Sequence, residues 1–161
     1  MIPKLHSQQH SQQHSQQHGI QSLENSLLKT RAWVDRIAQL GSLEPHDAYK
    51  ALRAVLQTLR DRLPTPESAH LAAQLPTVLR GLYFEGWDPA ATPVKMHRTE
   101  FLEAVGRRLA PGRFLDPEQL TRQVLLAASE HLSPGELEKT RNCLPADLHC
   151  LWPEPAGTDA R

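Results

Sequence analysis

A chain of 161 residues holds one domain with a tail, not two large domains. Its 18 basic and 18 acidic residues cancel, which removes the basic excess that phosphate-binding proteins rely on for nucleic-acid affinity. Aromatic content of 5%, with Leu and Ala dominant, favours helices over strands, and no apolar run reaches membrane-spanning length or forms the apolar stretch of a signal peptide.

Residues 1–22 form a His/Ser/Gln-rich tail. From His6 to His18 the order His-Ser-Gln-Gln repeats with a period of four, placing His6, His10, His14 and His18 in series. A polar tract of this kind has nothing to bury, so disorder is expected. If helical, histidines four apart would share a face and give adventitious affinity for Zn²⁺, Ni²⁺ or Cu²⁺. No metal function follows from that.

From residue 25 to 153 the chain reads as amphipathic helices broken at prolines. Trp33, Val34, Ile37 and Leu40 form a first helical stripe. Leu52, Val55, Leu56, Leu59 and Leu63 form a second. Leu71, Leu75, Val78, Leu79 and Leu82 form a third, in which Pro76 should kink or restart the helix. The set then recurs as Phe101-Leu102-Val105-Leu109, Val124-Leu125-Ala128-Leu132 and Leu144-Leu148-Leu151-Trp152. Leu75 and Leu144, Pro76 and Pro145, Leu79 and Leu148, and Leu63 and Leu132 are each 69 residues apart, while Trp33 and Phe101 are 68 apart. The spacing predicts an all-α bundle built from two tandem three-to-four-helix repeats, the first about 28–87 and the second about 97–152, joined by a linker over 88–96. Residues 154–161 read as a flexible C-terminus.

Helix starts carry their own chemistry. Ser133-Pro134-Gly135-Glu136 and Asp116-Pro117-Glu118-Gln119 each place a capping side chain, then Pro, then a Glu or Gln at N3. Thr65-Pro66-Glu67 is a weaker version. Between the halves, Tyr83, Phe84 and Trp87 concentrate three of the chain's eight aromatics in five residues, with Arg80, Lys95 and Arg98 nearby. Rigid aromatics beside cations form a candidate interaction surface, comprising Arg80, Tyr83, Glu85, Trp87, Lys95 and Arg98. The plainer reading is a hydrophobic anchor tying the linker to the core.

Gln74-Leu75-Pro76, Arg80-Gly81, Tyr83-Phe84-Glu85-Gly86-Trp87 with Pro89 and Pro93, Phe101-Leu102, and the closing Leu144-Pro145 and Leu151-Trp152 resemble the bacterial family catalogued as domain of unknown function 2267. The resemblance spans roughly residues 25–153 and leaves out the repeated tail. It implies a helical bundle in a bacterial cytosolic setting with a suspected stress association. It supplies no catalytic residues.

The familiar catalytic signatures are missing. No Gly-rich phosphate loop, nucleophile elbow or His-Glu-x-x-His helix occurs. Cys143, His149 and Cys150 lack metal-site spacing, and the two cysteines read as buried reduced thiols. Arg60, Arg62, Arg107, Arg108 and Arg113 read as a solvated basic edge. The expectation is therefore a cytoplasmic, non-catalytic module that docks an unidentified protein partner, with no cofactor, no core metal, no nucleic acid and no membrane. The alternative is a small enzyme or ligand-binding protein with a pocket between the two repeats.

Overall fold

The computed structural model describes the backbone of residues 5–109 and 115–154, and side chains from residue 16 onward within those ranges. These residues fold as seven α-helices and two short 3-10 helices, an all-α bundle with no strand among them. The helices are α1 (Leu5–Gly41), α2 (Pro45–Arg62), α3 (Thr65–Gln74), α4 (Thr77–Phe84), α5 (Arg98–Arg108), α6 (Pro117–His131) and α7 (Pro134–Asn142).

The stripes are the core. Trp33, Val34 and Ile37 of α1 are buried in one cluster with the apolar row of α2, from Leu52 to Leu59, and with Leu63 at its C-cap. The α6 residues Val124, Leu125 and Ala128 and the α5 residues Phe101 and Val105 close the same cluster. Helix α2 lies at the centre, touching α1, α4, α5 and α6, so both halves share one core. A bidentate pair fixes α1 to α6, with Arg36 Nε and Nη2 each 2.8 Å from an oxygen of Glu130. The guanidinium's hydrogen bond holds the Glu130 carboxyl below the usual carboxylate range.

The boundaries follow local chemistry. Ser133 accepts from the Glu136 N–H at 3.3 Å and Asp116 from the Glu118 N–H at 3.0 Å, as their sequence positions predict. Thr65 instead lies inside α3, whose N-cap is Pro64. Pro76 restarts the chain between α3 and α4, being the N-cap of the latter. Leu144, Leu148 and Leu151 are buried as expected, but the segment Ala146–Leu151 is a 3-10 helix. Proline at 145 followed by only six residues leaves little length for α-helical propagation.

Two further expectations meet a different structure. The segment read as a disordered tail continues α1, which is helical from Leu5. A Ser/Gln/His tract carries no proline to break a helix that Trp33 and Ile37 already anchor downstream. The side chains of His6, His10 and His14 lie outside the described residues, as does Arg113. The cysteines are not both buried: Cys143 is half-buried and Cys150 exposed, because the 3-10 segment turns its Leu148 and Leu151 inward instead.

Helix α1 ends in a left-handed turn. Ser42 takes φ +49°, and the Leu43 N–H reaches back to the Ala38 carbonyl at 2.9 Å. Gly41 sits where α6 approaches closely: a Cβ there would lie 2.6 Å from Gln123 Oε1 and 2.9 Å from Leu43. Gly41→Ala should therefore cost about 1–2 kcal/mol, read as a lower urea midpoint at unchanged slope. Gly81, within α4, provides the contrast, because a Cβ added there would meet nothing within 4 Å. Gly81→Ala should leave stability unchanged or raise it by about 0.5–1 kcal/mol.

Candidate functional site

The aromatic segment is held from below by a polar row on α2. Arg53, Gln57 and Arg60 fall at i, i+4 and i+7, so one face of α2 presents all three to the end of α4. Arg53 Nη2 lies 3.0 Å from Glu85, and Gln57 Nε2 donates to the Leu82 carbonyl at 2.9 Å. Arg60, 3% exposed, donates through Nη1 to the carbonyls of Tyr83 and Glu85, each at 2.8 Å, and through Nε to Asp61 at 2.7 Å. A guanidinium thus serves as the C-terminal cap that α4 lacks locally. Asp61 also pairs with Arg108 of α5, and its carbonyl accepts the Val94 N–H at 2.7 Å, while Arg62 donates to the Met96 carbonyl at 2.9 Å. Of the arginines read as a solvated edge, Arg60, Arg62 and Arg108 are structural, Arg60 being buried and Arg108 tying the second half to the first, whereas Arg107 is exposed.

The six residues of the expected interaction surface divide accordingly. Tyr83 is fully buried and faces no partner, its hydroxyl 2.7 Å from Ser68 Oγ. Arg80 covers the end of α3, donating to the carbonyls of Ala72, Ala73 and Leu75 at 2.9, 3.3 and 3.2 Å. Glu85 is exposed and paired with Arg53, and Arg98 is paired with Glu118. Trp87 is half-buried against Phe84 at a centroid distance of 5.0 Å, and Lys95 is exposed. The structure does not bring the six onto one face. Helix packing takes up Arg80 and Tyr83.

Burial pushes the Tyr83 phenol up to about 12. An unfolded tyrosine ionises near pH 10, so the unfolded chain gains stability from ionisation first. The contribution of Tyr83 is intact below pH 10 and is lost as pH climbs from about 10 to about 12, costing about 2–3 kcal/mol in total. Tyr83→Phe should flatten that alkaline decline in urea titrations, while losing about 1 kcal/mol at neutral pH with the Ser68 bond.

A second polar cluster joins α5, α6 and the C-terminal 3-10 helix. Asp147 accepts from the Arg98 N–H at 3.0 Å and from His97 Nδ1 at 3.2 Å, which keeps its carboxyl below the usual range. Glu118 is held low by Arg122 and Arg98. His149 Nε2 bonds the Leu144 carbonyl at 3.0 Å, and Cys150 Sγ donates to the Asp147 carbonyl at 3.3 Å. Burial raises the Cys143 thiol. Among the described residues no three His, Cys, Asp or Glu side chains gather as a metal-holding group.

Two clefts open beside these clusters. One, of about 350 Å³, lies between α1 and the α3–α4 junction, lined by His18, Gln21, Asn25 and Lys29 on one side and Leu75 and Thr77 on the other. The other, of about 390 Å³, lies between α5 and α6 and is lined by Arg98, Leu102, Gly106 and Pro117. Each lies within one half of the chain, not between the halves.

The feature that the stripes starting at Trp33 missed is on the N-terminal part of α1. Ile20, Leu23, Leu27 and Leu28 are 59, 58, 59 and 67% exposed. Ile20, Leu23 and Leu27 follow the 3-4 spacing that continues into buried Thr30, Val34 and Ile37. Beside this row Ser26 is buried, and its Oγ accepts the Val78 N–H at 2.9 Å at the start of α4.

A family model described as an uncharacterized conserved protein, DUF2267, matches residues 30–151. The chain belongs to the DUF2267 family. No curated protein matches it. The DUF2267 match opens at Thr30, the next buried position of α1 after Ser26 and the first beyond the exposed apolar row. Residues 20–28 therefore precede the matched part of the DUF2267 bundle. Among the described residues no helix is long and apolar enough to cross a membrane.

Proposed function

We propose that this DUF2267 protein is a non-catalytic interaction module that captures a partner helix on the outward apolar face of α1. The observation that carries this reading is the row Ile20, Leu23 and Leu27, each more than half exposed on a helix whose downstream heptad positions are buried. Three large aliphatic side chains at 3-4 spacing are the pattern that a second helix packs into, knobs into holes. Exposed apolar rows of this regularity mark contact surfaces, whereas isolated exposed leucines do not. Trp87, half-buried with a buried indole N–H that lacks a partner, forms a secondary anchor beside Lys95 in the same proposal.

The scaffold in this proposal is one helical unit used twice. In its support, α3 and α7 start near equivalent points, and Pro76 and Pro145 both cap the next element at ψ 145° and 150°. Helix α1 packs on α6 while α5 packs on α2, an exchange of halves, and His70 meets Lys139, 69 residues on, at 2.8 Å. The bacterial, cytosolic and stress-associated setting implied by the family resemblance belongs to the same proposal.

The test is photocrosslinking in the native host. Benzoyl-phenylalanine replaces Leu23 or Leu27, with Leu126 of α6, the least exposed of the large surface aliphatics, as the control. Adducts at 23 and 27, mapped to apolar residues spaced three and four apart on the partner, support the reading. Adducts at 126 only, or none, contradict it.

A further inference from the structure

We infer that the N-terminal arm of α1 is a binding site for late first-row divalent cations (Ni²⁺, Cu²⁺ or Zn²⁺), each held between two histidines about one helical turn apart. The backbone carries the inference. Helix α1 runs from Leu5 through the whole His-Ser-Gln-Gln tract, so His6, His10, His14 and His18 stand four residues apart on one continuous helix. Positions four apart on a helix differ by about 6 Å along the axis and about 40° around it. Two histidines at that spacing on one helix are the pair with which metalloprotease helices hold zinc.

The period also sets how many ions the arm takes. Histidines eight apart differ by about 12 Å and about 80°, too far to share one ion, so each ion uses one adjacent pair. Four histidines therefore serve at most two ions, one at His6 and His10 and one at His14 and His18. Water completes the coordination, which makes these open, exchangeable sites and not closed structural ones. The donor type selects the cation. Imidazole suits Ni²⁺, Cu²⁺ and Zn²⁺, whereas residues 5–18 hold no carboxylate to attract Mg²⁺ or Ca²⁺. Because the pair is in register only while the turn between its members is helical, ion binding and helix formation in the arm are one linked equilibrium. A coil of the same composition would also attract these ions, but without regard to the order of its residues.

Calorimetric titration of the full chain with Ni²⁺, beside amide exchange over residues 6–18, separates the two. Ni²⁺ is the probe because Cu²⁺ would oxidise the exposed Cys150 thiol. The register variant carries Gln8→His, His10→Gln, Gln16→His and His18→Gln, which keeps four histidines in the tract but leaves no two of them three or four apart. Wild type should take up to two Ni²⁺, with exchange over 6–18 slowed several-fold, and should give no response to Mg²⁺. The register variant should bind about tenfold more weakly or worse, with no slowing. His10→Ala should leave a single site at His14 and His18. Equal affinity in the register variant means an adventitious ion only and overturns the inference. Failure of the wild type to bind Ni²⁺ overturns it, as does binding that survives replacement of all four histidines by Gln.

Discussion

Trp33→Ala should lower stability by about 4 kcal/mol, enough to unfold a large fraction of a marginal domain. Trp33 is 2% exposed and belongs to the α1 stripe, but its ring stacks on His131 of α6 at 5.0 Å with the planes 15° apart. It therefore joins the first half of the chain to the second. Truncation removes the transfer energy of a large aromatic and leaves a cavity that rigid neighbours such as Ile37 and Val34 fill poorly. Urea unfolding followed by circular dichroism should show a lower midpoint and a single transition. Two separated transitions would mean that the halves do not share one cooperative core.

Arg60→Ala should cost about 3 kcal/mol by a different mechanism. The side chain is buried, and its removal leaves the carbonyls of Tyr83 and Glu85 without their donor and Asp61 with Arg108 but without the Arg60 guanidinium. Arg60→Lys should recover little, because an ammonium cannot span two carbonyls and a carboxylate with the geometry of a planar guanidinium. Thermal melts of the two variants alongside Gln57→Ala check this. Gln57 donates to the adjacent Leu82 carbonyl at 2.9 Å, and its loss should cost only about 1 kcal/mol. If Arg60→Ala proves as mild as Gln57→Ala, the buried cap contributes little to holding the aromatic segment.

Much of the bundle was legible in the sequence because hydrophobic period reports burial directly. Trp33, Ile37, Val55, Leu59, Phe101, Val105 and Val124 all stand at predicted stripe positions and all are buried. The caps at Asp116 and Ser133 were legible for the same local reason: donor and acceptor lie within three residues. The roles of Arg60 and Arg80 were not. An arginine that caps a helix 23 residues away looks in sequence like any surface cation, and only packing distinguishes the two. Tyr83 misled for a related reason. Its neighbours Phe84 and Trp87 make an aromatic run, but α-helical geometry turns Tyr83 inward to Ser68 and leaves Trp87 past the helix end.

The outward face of α1 was legible in principle. Ile20, Leu23 and Leu27 continue the Trp33 stripe upstream at the same spacing, but they adjoin the His-Ser-Gln-Gln tract, whose composition suggests disorder. What sequence alone cannot give is that the row is left uncovered from Ile20 to Leu28. That depends on where α3 and α4 sit, and on Ser26 meeting the Val78 N–H across 52 positions of chain.

The most direct test of the central claim, that the apolar face of α1 docks a partner helix, is photocrosslinking from Leu23 and Leu27 in the native host. Adducts at both positions, mapped to apolar residues spaced three and four apart on the partner, are the predicted result. Adducts at the Leu126 control alone, or none, would contradict the account.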